Sequence, residues 1–198
     1  MFKRCKTQRS IKRQAEIENA FLTLLVTKSY EDVTVSEVCS QANIPRKAFY
    51  RYFACKEGLL EALIEHTLQG YQGYYENFKR ERRTLKGELE CFFSFWLVDP
   101  QKTLLKVMIK NSLVGHILKL SQSSRLIENV DAKKFLPYET DAMRSQIFNF
   151  AISGLMTLML DWFNGGCKES PAKMAEISCR LIQHPLFPNL NEIGIYTE

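Results

Sequence analysis

The 198-residue sequence predicts an all-α fold in two domains, and three observations carry that prediction. Apolar residues recur three and four positions apart through most of the chain, the period of a helix with one buried face. Stop signals fall between the periodic stretches, at Asp99-Pro100, Pro137, Gly165-Gly166 and Ser170-Pro171. The composition, 45% hydrophobic and 25% charged, is that of an ordinary globular protein whose core needs no disulfide or metal staple. It excludes a disordered tail, a collagen-like fibre and a disulfide miniprotein. No apolar run reaches the roughly 18–20 residues a membrane helix requires, and Met-Phe-Lys-Arg-Cys-Lys is no signal peptide. The expectation is a soluble, cytoplasmic protein without a membrane partner.

The first helix is expected from about Gln8 to Lys28, with Ile11, Ala15, Ile17, Ala20, Phe21, Leu24 and Leu25 forming its apolar face. Thr34-Val35-Ser36-Glu37 fits a capping box, in which Thr34 accepts from the first turn and Glu37 reaches back to the Thr34 amide. The helix it opens turns Val35, Val38, Cys39 and Ala42 inward. Asn43 closes it, because Asn tolerates the left-handed backbone of a helix exit. Pro45 begins the next helix in its first turn and carries it to Phe53. Phe49 and Phe53 share its inner face, while Arg46, Lys47, Tyr50 and Arg51 project from the other side. Two short helices joined by a tight turn, the second cationic and aromatic, make a helix-turn-helix.

A longer helix follows over about 56–83, and the cluster Lys79-Arg80-Glu81-Arg82-Arg83 marks its solvated end. Further helices are expected at about 85–97, 100–121, 141–164 and 171–184. The helix over 141–164 is apolar almost all round, so it must be covered on most sides. Ser170 caps the last helix and Pro171 occupies its first turn.

Charge is unevenly placed. Residues 1–60 hold eleven basic and six acidic residues, which is the whole net charge of +5, and the first thirteen hold six cations and no anion. Such asymmetry points to a polyanion at one end of the molecule, nucleic acid before a membrane surface. The six cysteines form no C-x-x-C pair and are expected as reduced thiols. His66, His116 and His184 neighbour no catalytic set. There is no P-loop and no metal-ligand spacing, so neither cofactor, metal nor enzymatic activity is expected.

The stretch Val33 to Cys39 with Asn43 to Leu60 resembles the N-terminal domain of TetR-type transcriptional regulators. The run Phe49, Tyr50, Phe53, Lys56, Leu59 carries the strongest part of the likeness. Asn43 stands where this turn usually has glycine, and Cys39 where the first helix usually has alanine. The resemblance covers residues 8–60 and implies a bacterial homodimer binding double-stranded operator DNA of palindromic sequence. Carried over by position, it implies that Arg46, Lys47 and Tyr50 approach base edges, while Ser36, Tyr50, Tyr52 and Lys56 meet phosphates. Arg51 is a further backbone contact. Lys3, Arg4, Lys6 and Arg9 are expected to form a flexible arm along phosphates or in a flanking minor groove.

In this family the helix over 56–83 links a DNA-binding domain, here residues 1–60, to a C-terminal domain, here 84–198. The last two long helices pair with their symmetry mates. That implies a dimer interface of Phe148, Ile152, Leu155, Leu158, Trp162, Met174, Ile177 and Leu181, with Ser153 and Gly154 permitting close approach. The segment from Ile152 to Pro171 also resembles one C-terminal subgroup of these regulators. Trp96, Met108 and His116 are the candidates for lining a pocket for a small-molecule effector. The reading is a sequence-specific regulator, a repressor released by an effector. An activator with the same heads and a non-specific architectural DNA-binding protein are the alternatives.

Overall fold

The computed structural model describes residues 2–78, 84–123 and 139–183. The expected cationic cluster at 79–83 and the expected break at Pro137 lie outside the described residues. Nine helices are described: α1 (Gln8–Thr27), α2 (Val35–Gln41), α3 (Arg46–Phe49), α4 (Lys56–Asn77), α5 (Leu85–Phe95), α6 (Gln101–Lys110), α7 (Val114–Ser123), α8 (Asp141–Asn164) and α9 (Pro171–Gln183). No strand occurs among the described residues; a single antiparallel bridge joins Phe2 to Phe53. The fold is all-α, as the periodicity predicts.

The described residues divide into two compact units: 2–76 with 96–123, and 77–78 with 84–95 and 139–183. Thus α6 and α7 belong with α1–α4, although they lie beyond residue 84 in the chain. In the first unit Ile17, Phe21 and Leu25 of α1, Phe49 of α3, Phe53, and Leu59, Leu60 and Ile64 of α4 are fully or almost fully buried. Each such aromatic or aliphatic side chain contributes about 1.5–3 kcal/mol by leaving water. In the second unit α5 packs along α9, and the Phe93 ring meets Trp162 of α8 edge to face at 5.5 Å. Cys91 and Phe93 of α5, Met159 of α8 and Ala175 of α9 are completely buried.

The expected helix over 100–121 is two helices. α6 ends at Lys110 with Asn111 as its C-cap, Ser112 takes φ 56°, and Leu113 N–H returns to Met108 O at 2.8 Å before α7 begins. The Asn111 side chain explains the stop. Its Nδ2 donates to Val107 O at 2.8 Å, and its Oδ1 accepts from Tyr30 N–H at 2.6 Å. The α6 terminus is thereby tied to the loop between α1 and α2.

Candidate nucleic-acid interface

Local chemistry fixes α2. Thr34 Oγ1 accepts from Glu37 N–H at 3.3 Å, and Glu37 Oε2 accepts from Thr34 N–H at 2.9 Å, completing the capping box. Glu37 also pairs with Lys28. That bond, with the Thr34 amide and hydroxyl, holds the Glu37 carboxyl at about 2, well below the ordinary carboxylate range. Asn43 sits at φ 49°, with its own N–H on Ser40 O and Ile44 N–H on Cys39 O. The left-handed residue ends α2 and aims the chain into α3.

Pro45 serves as the N-cap of α3 rather than occupying its first helical position. Regular α geometry also ends at Phe49, short of the expected Phe53. Tighter i→i+3 bonds from Arg51 to Ala48 and from Tyr52 to Phe49 carry the coil onward. The buried rings of Phe49 and Phe53, 5.4 Å apart, seat this segment on the core. Arg46, Lys47, Tyr50 and Arg51 face solvent, with Tyr50 51% exposed. Arg46 spans both helices, donating to Ser36 Oγ on α2 at 3.2 Å and to the Tyr50 hydroxyl at 3.4 Å. The structure therefore brings together Ser36, Arg46 and Tyr50 in one exposed cluster, flanked by Lys47 and Arg51. Tyr52 is half-buried beside Phe53.

Lys56, expected to meet a phosphate, makes its contacts here with the α1–α2 loop. Its ammonium donates to Tyr30 O at 2.7 Å and Glu31 O at 3.3 Å, and lies 4.3 Å above the Tyr30 ring. It is turned inward to brace the α1–α2 loop. Burial and the Glu57 carboxylate push the Tyr30 phenol well above its ordinary value, so it stays a donor toward Glu57.

The first residues lie against the head. Lys3 N–H donates to Tyr52 O at 2.8 Å, the Phe2 ring stands edge-on to His66 at 5.5 Å, and Arg4 pairs with Glu65 at 3.3 Å. His66 Nδ1 lies 2.9 and 3.0 Å from the two oxygens of the buried Glu18. That hydrogen bond raises the His66 pKa against the opposing effect of burial. An aromatic at position 2 amid cations was the one sequence signal of this docking.

The residues expected at a dimer interface divide. Trp162 and Met174 are buried within their own unit, the indole N–H donating to Glu169 O at 3.0 Å. Phe148, Ile152, Leu155, Leu158 and Ile177 are half-buried, and Leu181 is exposed. The open apolar surface includes residues the interface expectation passed over. Met143, Ile147 and Phe150 follow one another at helical spacing on α8, with Phe150 72% exposed, and Gly154 continues their stripe. A side chain at Gly154 would meet no other atom within 4 Å. Sequence periodicity sees both apolar faces of α8 and cannot rank them.

Of the effector candidates, Trp96 and Met108 are core residues, while His116 faces solvent. None of the three lines the open groove of about 610 Å³ bordered by Leu22, Thr23 and Val26 of α1 and by Asp99, Pro100 and Thr103. Among the described residues no cluster of His, Cys, Asp or Glu fits a metal ion, no helix is long and apolar enough to cross a membrane, and no disulfide joins the six cysteines.

A helical head presenting a cationic and aromatic second helix from a capped helix-turn-helix defines a DNA-binding protein. Residues 19–63 match the family described as "Bacterial regulatory proteins, tetR family", and residues 100–184 match a "Transcriptional regulator C-terminal region". The chain belongs to the TetR family of DNA-binding transcriptional regulators. Over 93 residues, 44% of this chain, it is 30% identical to the HTH-type transcriptional regulator EthR of Mycolicibacterium smegmatis, and the match spans 43% of that protein. Solved structures share the fold over nearly the whole chain. The fatty acid degradation regulator FadR from Bacillus halodurans aligns with TM-score 0.55 and 18% identity, over 92% of this chain and 98% of that one. The dihydroxyacetone kinase operon activator DhaS aligns with TM-score 0.56 and 20% identity, over 95% and 99%.

Proposed function

We propose that this regulator binds a palindromic operator as a homodimer, represses transcription by occupying the promoter, and is released by a small-molecule effector. The observation that carries the DNA reading is the exposed cluster of Arg46, Tyr50 and Ser36 bridging α2 and α3, with Lys47 and Arg51 beside it. A guanidinium held at two points reaches a base edge with less entropy left to lose. Arg46 and Lys47 suit guanine acceptors, and Tyr50 offers an aromatic surface to a thymine methyl. Ser36, Tyr50, Tyr52 and Lys56, with Arg51, are assigned to phosphates, which fix register. The open stripe of Met143, Ile147, Phe150 and Gly154, with Leu181 and Ile182 on α9, supports the dimer. A second copy covers such a surface by an isologous two-fold contact. An effector must bind the released state more tightly than the operator-bound one, since equal affinity shifts nothing.

Selection of binding sites from random duplex DNA tests this reading. Enrichment of a palindrome with half-sites about one helical turn apart is expected. Binding without sequence preference would overturn it in favour of an architectural role. In the same selection Arg46→Ala should relax preference at one position of each half-site, by about 1–3 kcal/mol. A reporter carrying the selected site across its promoter should be silenced by the protein; stimulation would mark an activator.

A further inference from the structure

The N-terminal segment carries charge that the recognition helix does not supply. Lys3, Lys6, Arg9 and Lys12 are exposed, and the first acidic residue is Glu16. A basic tail whose only role is solubility needs no fixed geometry, and ordering a residue costs about 1–2 kcal/mol of backbone entropy. Here the order is built in. Phe2 pairs with Phe53, the Lys3 amide is bonded to Tyr52 O, the Phe2 ring rests on His66, and His66 is held by Glu18.

Phe53, opposite Phe2, is completely buried and the Phe2 ring lies against His66, whereas Lys3 is exposed and its amide is bonded to the carbonyl of Tyr52. Arg4 pairs with Glu65 of α4 at 3.3 Å. The segment thus divides into an anchor, Phe2 and Arg4, and an outward cation, Lys3, at the exit of the recognition helix.

We propose that the docked N-terminal segment extends the DNA interface, with Lys3 beside Tyr52 meeting the phosphate backbone at the edge of each half-site. This rests on the operator-binding reading above. The partner group is a phosphate rather than a base edge. Lysine is a compact point charge without the bidentate fork that reads guanine, and Tyr52 adds a hydroxyl of the type that joins phosphate contacts. The role of Phe2 and His66 is preorganisation, because an anchored cation binds without first being ordered.

The test is the salt dependence of binding to a duplex selected by the wild-type protein, titrated from about 50 to about 300 mM NaCl. Each phosphate contact adds about 0.9 to the slope of log K against log salt. Lys3→Gln should therefore flatten the slope by about 0.9 per head, or about 1.8 for a dimer. Phe2→Ala, which changes no charge, should flatten it as well and leave the selected sequence unchanged. Lys168→Gln, in the other compact unit, should leave the slope as it is. Wild-type binding with an unchanged slope in either Lys3→Gln or Phe2→Ala overturns this proposal and leaves the operator reading standing. Failure of the wild-type protein to bind any selected duplex overturns the operator reading and this extension with it.

Discussion

In the helix-turn-helix, helix ends are set by polar side chains close by in sequence. Thr34 and Glu37 start α2, Asn43 ends it, and Arg46 ties it to α3. In the unit built from α5, α8 and α9, a 24-residue helix runs from Asp141 to Asn164 between the caps Thr140 and Gly165, with apolar residues on two faces. One face, through Met159 and Trp162, is buried in its own unit; the other, through Ile147 and Phe150, is open. The helix-turn-helix presents charge on its outer side, whereas the second unit leaves an apolar stripe of α8 open.

Deleting the buried face of the second unit should have the largest effect. Trp162→Ala removes the ring that meets Phe93 and the hydrogen bond to Glu169 O, and should cost about 3–5 kcal/mol in a denaturant melt. A loss under about 1 kcal/mol would mean that the two faces of α8 do not differ as described. Phe150→Glu sharpens the same contrast from the other side. It should leave the melting midpoint of the monomeric fold nearly unchanged while light scattering reports half the wild-type mass. A dimer that survives this charge would move the interface off the Ile147–Phe150 stripe.

In the head the expected effects are smaller because each polar contact is worth less than a buried ring. Thr34→Ala removes the cap of α2 and should cost about 1 kcal/mol, read by the same melt. Full stability in this variant would show that the Lys28–Glu37 pair holds the helix start without the cap. The smallest effect is a pH dependence. Because Glu18 raises the His66 pKa, the stabilisation is fully present below the unfolded histidine value of about 6.5. It is lost as pH rises through the higher folded value. The melting temperature of the wild-type protein should fall over that window relative to His66→Gln; parallel curves would remove His66 from the account.

The sequence range of each contact decides what the sequence discloses. The Thr34–Glu37 box, the Asn43 exit, the Ser170-Pro171 start and both ends of α8 are legible because each rests on neighbours within a turn. The stop at Asn111 is not. Its partner is the Tyr30 amide, 81 positions earlier, and Ser112 takes the left-handed turn with no glycine to announce it. Lys56 is legible in the motif, but the carbonyls it meets belong to a loop whose path the motif does not contain. The recognition cations stand out as a cationic face opposite Phe49 and Phe53. Which face of α8 stays open depends on where α5 lies.

The bond from Asn111 to Tyr30 has a practical meaning for chimeric regulators. Lys110 Nζ also donates to Val26 O at 3.1 Å, so two side chains from the end of α6 stitch the last turn of α1 and the loop that follows it. A graft that moves residues 1–83 onto another helical bundle cuts both stitches and strips the Tyr30 amide of its acceptor. The transferable cassette is discontinuous: residues 96–123 must travel with the head, and a swap junction belongs on either side of that segment rather than after α4.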